Sequence, residues 1–287
     1  MNTRTKLSDL EYEIWRELVH NRCGIYFTPS RLYFLESRLW ERMQVLSLNG
    51  YSEYYHYVLY NPHGDREWGL LLDLLLNNES SFFRHTPSFT ALMKHIMPDL
   101  LSEKRRHGVN MLSMWSAGCA NGQEAYSLAM AFHEVVGADE ARLWQMKVWG
   151  TDISRKSMEK ARNGRYKSYD IRNMPDHYLQ TYMEVADSGR GNLYKVNNAI
   201  QRLTQFAKLN LMKPDDYWIS AQDIIFCQNV LIYFQLKDRE TLVKRLCSRL
   251  SPGGYLFLAP AEMVGLKIPG IRPVKMEESL IYQKVRK

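Results

Sequence analysis

The chain has 287 residues, 45% of them hydrophobic and 24% charged, an ordinary globular composition that fits one large domain plus a small one. No apolar run reaches the roughly 18 residues that span a bilayer, and the opening MNTRTKLSDLEYEIW carries acidic residues where a signal peptide has its apolar core, so membrane insertion and export are not expected. The net charge of +7 and the pI of about 9.1 favour acidic partners, yet no run of five basic residues marks a nucleic-acid footprint.

Residues 1 to about 75 read as helical. Leu32, Leu35, Leu39, Met43 and Leu46 recur at helical spacing and predict a buried stripe. Arg31, Arg38 and Arg42 share one face beside that stripe. Such a row either holds acidic side chains of a partner or forms a solvated edge paired with Glu36 and Glu41. Asn61 to Asp65 is a turn cluster. A helix is expected over Trp68 to Leu76, stopping at Asn77-Asn78, and another from Pro87 to Arg106.

From Val109 onward strands and helices alternate. Strands are expected at Val109 to Trp115, Met146 to Thr151, Thr204 to Leu209, Asp223 to Cys227 and Gly254 to Leu258. Helices are expected near Gln123 to Val136, Ser154 to Arg162 and Leu236 to Leu250. This pattern predicts an α/β fold, a doubly wound parallel sheet with helices on both faces. The tail from Ser279 reads as a last strand, antiparallel at or near the sheet edge. Residues 164–202 exceed what a simple connection needs. A turn-rich centre containing Gly189 and Gly191 suggests an inserted hairpin. The expected division is a helical domain and linker over residues 1–85 and an α/β domain over residues 86–287.

The segment Met114 to Ala129 (MWSAGCANGQEAYSLA) reads as strand, glycine loop and helix, the opening of a nucleotide-binding unit. Gly118 and Gly122 do not form GxGxxG, and no Gly-Lys-Ser/Thr follows, which argues against a dinucleotide or a phosphate loop. Glu124 in the first helical turn is badly placed for phosphate and suits an ammonium group, or it complements the helix dipole. Asp152 at the tip of the second strand suits ribose hydroxyls, or it caps the next helix. Together these features point to an adenosine cofactor. Asn78, Ser80 and Arg84 converge only if their segment bends over a ligand; otherwise it is a plain domain junction. Asn229 and Tyr233 follow the fourth strand, where ligand crevices form, although Tyr233 equally suits a core. The cysteines Cys23, Cys119, Cys227 and Cys247 are widely spaced without a CxxC pair, so reduced cytoplasmic thiols are expected, with no metal site.

The ordered segments NNESSFFRH, WSAGCANGQEAYSLAM, VWGTDIS, LNLM, DIIFCQNVLIYF and SPGGYLFL resemble the CheR family of chemotaxis receptor glutamate O-methyltransferases. The resemblance runs from about Leu10 to Tyr282. It implies a Rossmann-like methyltransferase domain, a small all-helical N-terminal domain and an inserted β-subdomain. It also implies S-adenosylmethionine as cofactor, S-adenosylhomocysteine as product and glutamates of a chemoreceptor's cytoplasmic helices as acceptor. By position, Asn78, Ser80 and Arg84 match the segment over the methionine end, Glu124 the ammonium ligand and Asp152 the ribose ligand. Asn210 with Leu211, and Asn229 with Val230, match residues around the adenosine. Tyr233 matches a tyrosine near the transferred methyl, and catalytic roles fall to Arg84 and Tyr233. Under this resemblance the row Arg31, Arg38 and Arg42 becomes a docking edge for the receptor. The chain departs from the family pattern at several places, among them the hairpin with Gly189 and Gly191, which does not match the tip of members that bind a receptor tail peptide. Ser80 replaces threonine, the loop reads Asn-Gly-Gln-Glu-Ala instead of Ser/Thr-Gly-Glu-Glu-Pro, and Gln228 replaces an arginine. The alternatives are a same-fold methyltransferase with another acceptor and a non-catalytic signalling adaptor.

Overall fold

The computed structural model describes residues 6–187, 193–213, 218–260, 262, 268–276 and 278–286. Gly189 and Gly191 of the expected hairpin tip lie outside the described residues.

The N-terminal helices are α1 (Asp9–Cys23), α2 (Leu32–Leu46), α3 (Tyr51–Tyr60) and α4 (Gly64–Leu75). Ser8 and Glu11 form a reciprocal cap at the start of α1, satisfying two amide groups the helix itself leaves unpaired. Gly24 ends α1 in the left-handed conformation. A Cβ there would stand 2.4 Å from Met212 Cγ and 2.9 Å from the Phe234 ring, so only glycine lets the helix end press against the C-terminal domain. The α2 stripe is buried as expected at Leu35, Leu39 and Met43, which pack with Trp15, Tyr51 and Tyr54. Helix α4 starts at Gly64, four residues before the expected Trp68, because Asp65 and Glu67 fall in its first turn and complement its dipole.

The expected helix Pro87 to Arg106 is broken into α5 (Thr86–Ala91), a π turn (Leu92–Ile96) and α6 (Met97–Arg106). Pro98 has no N–H to offer the preceding turn, and the helix widens before it. The sheet region then runs β1 (Met111–Ala117), α7 (Gln123–Val136), α8 (Ala138–Ala141), β2 (Gln145–Asp152) and α9 (Arg155–Asn163). An insert follows: β3 (Arg165–Lys167), α10 (Ser168–Ile171), α11 (Asp176–Tyr182), β4 (Met183–Asp187) and β5 (Leu193–Val196). The chain returns through α12 (Asn198–Gln201), β6 (Thr204–Lys208), β7 (Gln222–Cys227), α13 (Leu236–Ser248), β8 (Leu250–Leu258), β9 (Ile271–Met276) and β10 (Ser279–Lys284).

Seven strands form one sheet in the order β6-β2-β1-β7-β8-β10-β9, and the insert forms a separate antiparallel sheet, β3-β5-β4. The five expected parallel strands are all present. Strand β10 is antiparallel, as expected, but it lies between β8 and the edge strand β9. Strand β9 was not anticipated: its exposed Arg272, Pro273 and Lys275 read as loop, and Pro is tolerated there because the outer edge needs no donor. Strand β7 is buried along its whole length, and Phe226 stacks on Phe257 of β8 at 4.2 Å. Strand order reverses between β1 and β7. The two loops leaving their carboxyl ends therefore diverge and open a crevice.

Candidate functional site

A cavity of about 200 Å³ occupies that crevice. The loops after β1, β2 and β7 line it, together with the end of α1 and the segment Leu76–Arg84. Gly118 and Cys119 donate their amides to Thr151 O at 2.8 and 2.9 Å, which folds the glycine loop back onto β2. Gly118 has φ +78°, and a Cβ on it would lie 2.5 Å from Val230 Cγ2. The missing side chain thus lets the β1 and β7 loops approach each other across the site.

Glu124 is half-buried in the first turn of α7 and lines the cavity. Ser116 Oγ donates to its Oε1 at 2.6 Å. Burial pushes its carboxyl up to about 7; Ser116 opposes this, Glu262 adds to it and Arg84 opposes it. A half-buried carboxylate without an ion pair among the described residues is a ready partner for a cation, and an ammonium group fits it.

Asp152 ends β2. Its Oδ2 accepts from Ala120 N at 3.0 Å and its Oδ1 from Ser154 N at 2.9 Å. Burial raises its pKa against those backbone donors. The capping role belongs to Ser154, whose Oγ accepts from Ser157 N at 3.0 Å. Asp152 also accepts from the Ile153 backbone, and its two oxygens still keep lone-pair capacity for a hydroxyl.

Asn78, Ser80 and Arg84 do line the same cavity, because their segment bends over it. Phe82 and Phe83 anchor the bend: Phe82 meets Tyr166 edge-on at 5.0 Å and Phe83 packs on Tyr178 at 4.3 Å. Arg84 donates back to Glu79 O at 3.1 Å. Asn229 takes the left-handed conformation at φ 60°, turning the chain after β7 into the cavity wall beside Val230. Tyr233 ends a 3-10 turn, packs on the cores of both units and borders the cavity. Asn210 and Leu211 are wall residues too. The Asn210 amide is engaged within the protein, donating to Arg22 O at 3.0 Å and accepting from Met212 N at 2.9 Å. Gln228 lines the cavity and donates to Ser88 Oγ at 2.9 Å.

The arginine row is not one surface. Arg31 is exposed and Arg38 half-exposed, and their guanidinium groups stand 5.6 and 5.3 Å from the Phe34 ring centre. Arg42 is a correction. It turns inward and forms a two-pronged pair with Glu67 at 2.8 Å on each prong, while Tyr54 OH donates to the same carboxylate. Glu36 is buried and accepts from Leu7 N at 3.3 Å, and Glu41 pairs with Arg38 at 3.3 Å.

Sequence reasoning missed Glu262. It is buried and accepts from Leu231 N and Ala259 N, both at 2.8 Å, holding the loop that carries Asn229 to Tyr233. No motif flags a lone glutamate past a strand. Cys23 at the end of α1 and Ile25 just beyond it also line the cavity, with no local signal. Among the described residues no acidic, histidine or cysteine cluster suits a metal, and no helix is long and apolar enough to cross a membrane.

The family described as CheR methyltransferase, SAM binding domain, matches residues 78–276, and its all-alpha domain matches residues 10–76. Chemotaxis protein methyltransferase 1 of Pseudomonas aeruginosa is 30% identical over 96% of this chain and 98% of its own length. Chemotaxis protein methyltransferase Cher2 of Pseudomonas putida is 32% identical over 96% and 98%. The chemotaxis protein methyltransferase of Escherichia coli is 30% identical over 91% and 87%. Glu124, Asp152 and Gly118, which line the cavity, all lie within the stretch matched as the S-adenosylmethionine-binding domain. The chain belongs to the CheR methyltransferase family.

Proposed function

We propose that this S-adenosylmethionine-dependent methyltransferase of chemotaxis modifies glutamate side chains on the cytoplasmic helices of chemoreceptors. The products are glutamate methyl esters and S-adenosylhomocysteine. The observation that carries this reading is the cavity lining. It holds Glu124, Asp152 and the guanidinium of Arg84, and it contains no histidine or lysine among the described residues. A glutamate carboxylate, with a pKa of about 4.3, arrives ionised at neutral pH and needs no general base. When bound, S-adenosylmethionine supplies a methyl group on a cationic sulfur that such a carboxylate displaces directly. Glu124 binds the cofactor ammonium and Asp152 the ribose hydroxyls. Asn78 and Ser80 cover the methionine end, while Leu211, Asn229 and Val230 border the adenosine. Asn210 fixes that wall through its own hydrogen bonds. Arg84 orients the incoming carboxylate or that of the cofactor, and Tyr233 orients the acceptor. Rate enhancement then comes from positioning and fixed charge.

The acceptor side is supported by a groove that shares Ile25, Leu76, Asn77, Ile232 and Tyr233 with the cavity and carries Arg31 at its rim. An acidic receptor helix docks along Arg31 and Arg38. On this reading the enzyme works in the cytoplasm, the helical unit ends near residue 85, and residues 164–202 form a subdomain inserted into the methyltransferase unit. The test is transfer of tritiated methyl from S-adenosylmethionine to membranes bearing the native receptors, followed by alkali. Label released as volatile methanol from a receptor band is expected. Alkali-stable label, or none on receptors, overturns the glutamate assignment.

A further inference from the structure

Two side-chain amides hold the segment over the cofactor cavity from its outer side. Asn121 Nδ2 donates to Asn78 O at 3.0 Å, and Gln123 Nε2 donates to Ser80 O at 3.3 Å. Asn78 and Ser80 line the cofactor cavity, but Asn121 and Gln123 do not. They line a separate cavity of about 490 Å³ with Tyr169, Asp170 and Arg172 of the insert. Residues 76–81 and Arg84 border both cavities, so this segment is a strap with space on each side.

The strap is fixed at its far end, where Phe82 and Phe83 are buried and Phe83 N donates to Ser127 Oγ at 3.0 Å. Other hydrogen bonds near its middle, Glu79 N to Asn77 Oδ1 and Arg84 to Glu79 O, stay within the segment and do not attach it to the domain. The two amides therefore tie its centre to the glycine loop. That loop is a stiff base. Ala120 and Gly122 on either side of Asn121 have φ of 47° and 93°, and the Asn121 carbonyl accepts from the buried Tyr166 hydroxyl at 2.7 Å. Gln123 is only 1% exposed, and its Oε1 has no partner among the described residues. Its amide is thus committed to the strap at some desolvation cost. These are two of the positions at which the loop departs from Ser/Thr-Gly-Glu-Glu-Pro. A serine hydroxyl is shorter than the Asn121 amide, and an ionised glutamate has no proton to give a carbonyl.

We propose that Asn121 and Gln123 are positioning residues that latch the strap over the bound cofactor and so limit the rate at which cofactor and product leave. This rests on the placing of S-adenosylmethionine in the adjoining cavity. Neither side chain lines that cavity, so loss of the latch acts on release and leaves the cofactor's own contacts in place. A neutral hydrogen bond contributes a factor of roughly 2 to 10, so each loss should speed release by about fivefold.

The experiment preloads the full-length protein with tritiated S-adenosylhomocysteine and chases it with unlabelled ligand. The expected result is dissociation about fivefold faster in Asn121→Ser and in Gln123→Glu, faster still in the double variant, with little change in association rate and, for Asn121→Ser, in melting temperature. Gln123→Met, which is neutral, separates lost donation from charge repulsion and should also release faster. Dissociation within twofold of wild type in both folded single variants overturns the latch. If the double variant does not fold, Asn121→Ser alone decides. Asp152→Asn serves as the marker of the cavity. Unchanged binding in that variant removes the cofactor placement itself, whereas weakened binding with wild-type release from the latch variants removes only the latch.

Discussion

The proposed pairing of Glu124 with the cofactor ammonium makes cofactor binding a proton-linked event. The Glu124 carboxyl is pushed up to about 7, chiefly because burial disfavours the charge. Binding an ammonium group needs the ionised form, so the apparent dissociation constant scales with 1 + 10^(pKa − pH). With the pKa at about 7, that factor is about 11 at pH 6 and about 1.3 at pH 7.5, an eightfold weakening on acidification. Glu124→Gln removes the charge and keeps an acceptor oxygen. A charge-assisted bond exceeds a neutral one by about 1 to 1.5 kcal/mol, so the variant should bind about tenfold more weakly at pH 7.5. Its affinity should not vary with pH, and the two curves should converge near pH 6, where wild-type Glu124 is itself mostly neutral. Titration calorimetry with S-adenosylhomocysteine from pH 5.5 to 7.5 measures both curves. Repeating it at pH 6 in two buffers of different ionisation heat counts the released proton, expected to be about 0.9 per ligand. The stability consequence has the opposite sign from a salt-bridged acid. The folded-state pKa is raised, so the folded protein holds the proton more tightly and loses stability as pH rises from about 4.5 to 7. That interval converts, at about 1.36 kcal/mol per decade, to about 3 kcal/mol at most, and the ligand-free Gln variant should unfold at higher denaturant above pH 7. A flat wild-type affinity across this window, with no proton released, would refute the reasoning.

Two further changes separate the arginines. Arg42→Met leaves Glu67 buried without its partner and should cost about 3 to 5 kcal/mol in urea unfolding, while the folded fraction keeps its KM for receptor membranes. An unchanged unfolding midpoint would show that the pair carries no structural weight. Reversing Arg31 and Arg38 to glutamate should leave stability within about 1 kcal/mol and cofactor affinity unchanged. It should raise the KM for receptor about tenfold at low salt, an effect that shrinks as salt screens the contact. Equal KM at low ionic strength would remove this face from receptor docking.

Local pattern determined a large part of this protein. The five parallel strands and the helices between them are legible because their apolar runs are bounded by turns, and a parallel sheet buried on both faces demands such runs. The glycine loop, Glu124 and Asp152 are legible because a βα unit places a loop, a first helical turn and a strand tip at fixed sequence distances. What the chain does with residues far apart in sequence was not legible. Arg38 and Arg42 sit one helical turn apart on α2, yet one stays at the surface and the other meets Glu67 of α4, a choice made only when the helices pack. Strand β9 exists because β10 offers it an edge, and its own residues carry no strand signal. Glu262 reaches the loop after β7 across 31 residues, and Asn210 reaches Arg22 across 188. The bend of the strap over the cavity depends likewise on Phe82 and Phe83 finding pockets built by the insert and α5. Sequence spacing sets which side chains share an element's face; which faces meet, and which charges are thereby taken out of water, is decided by burial in the assembled fold.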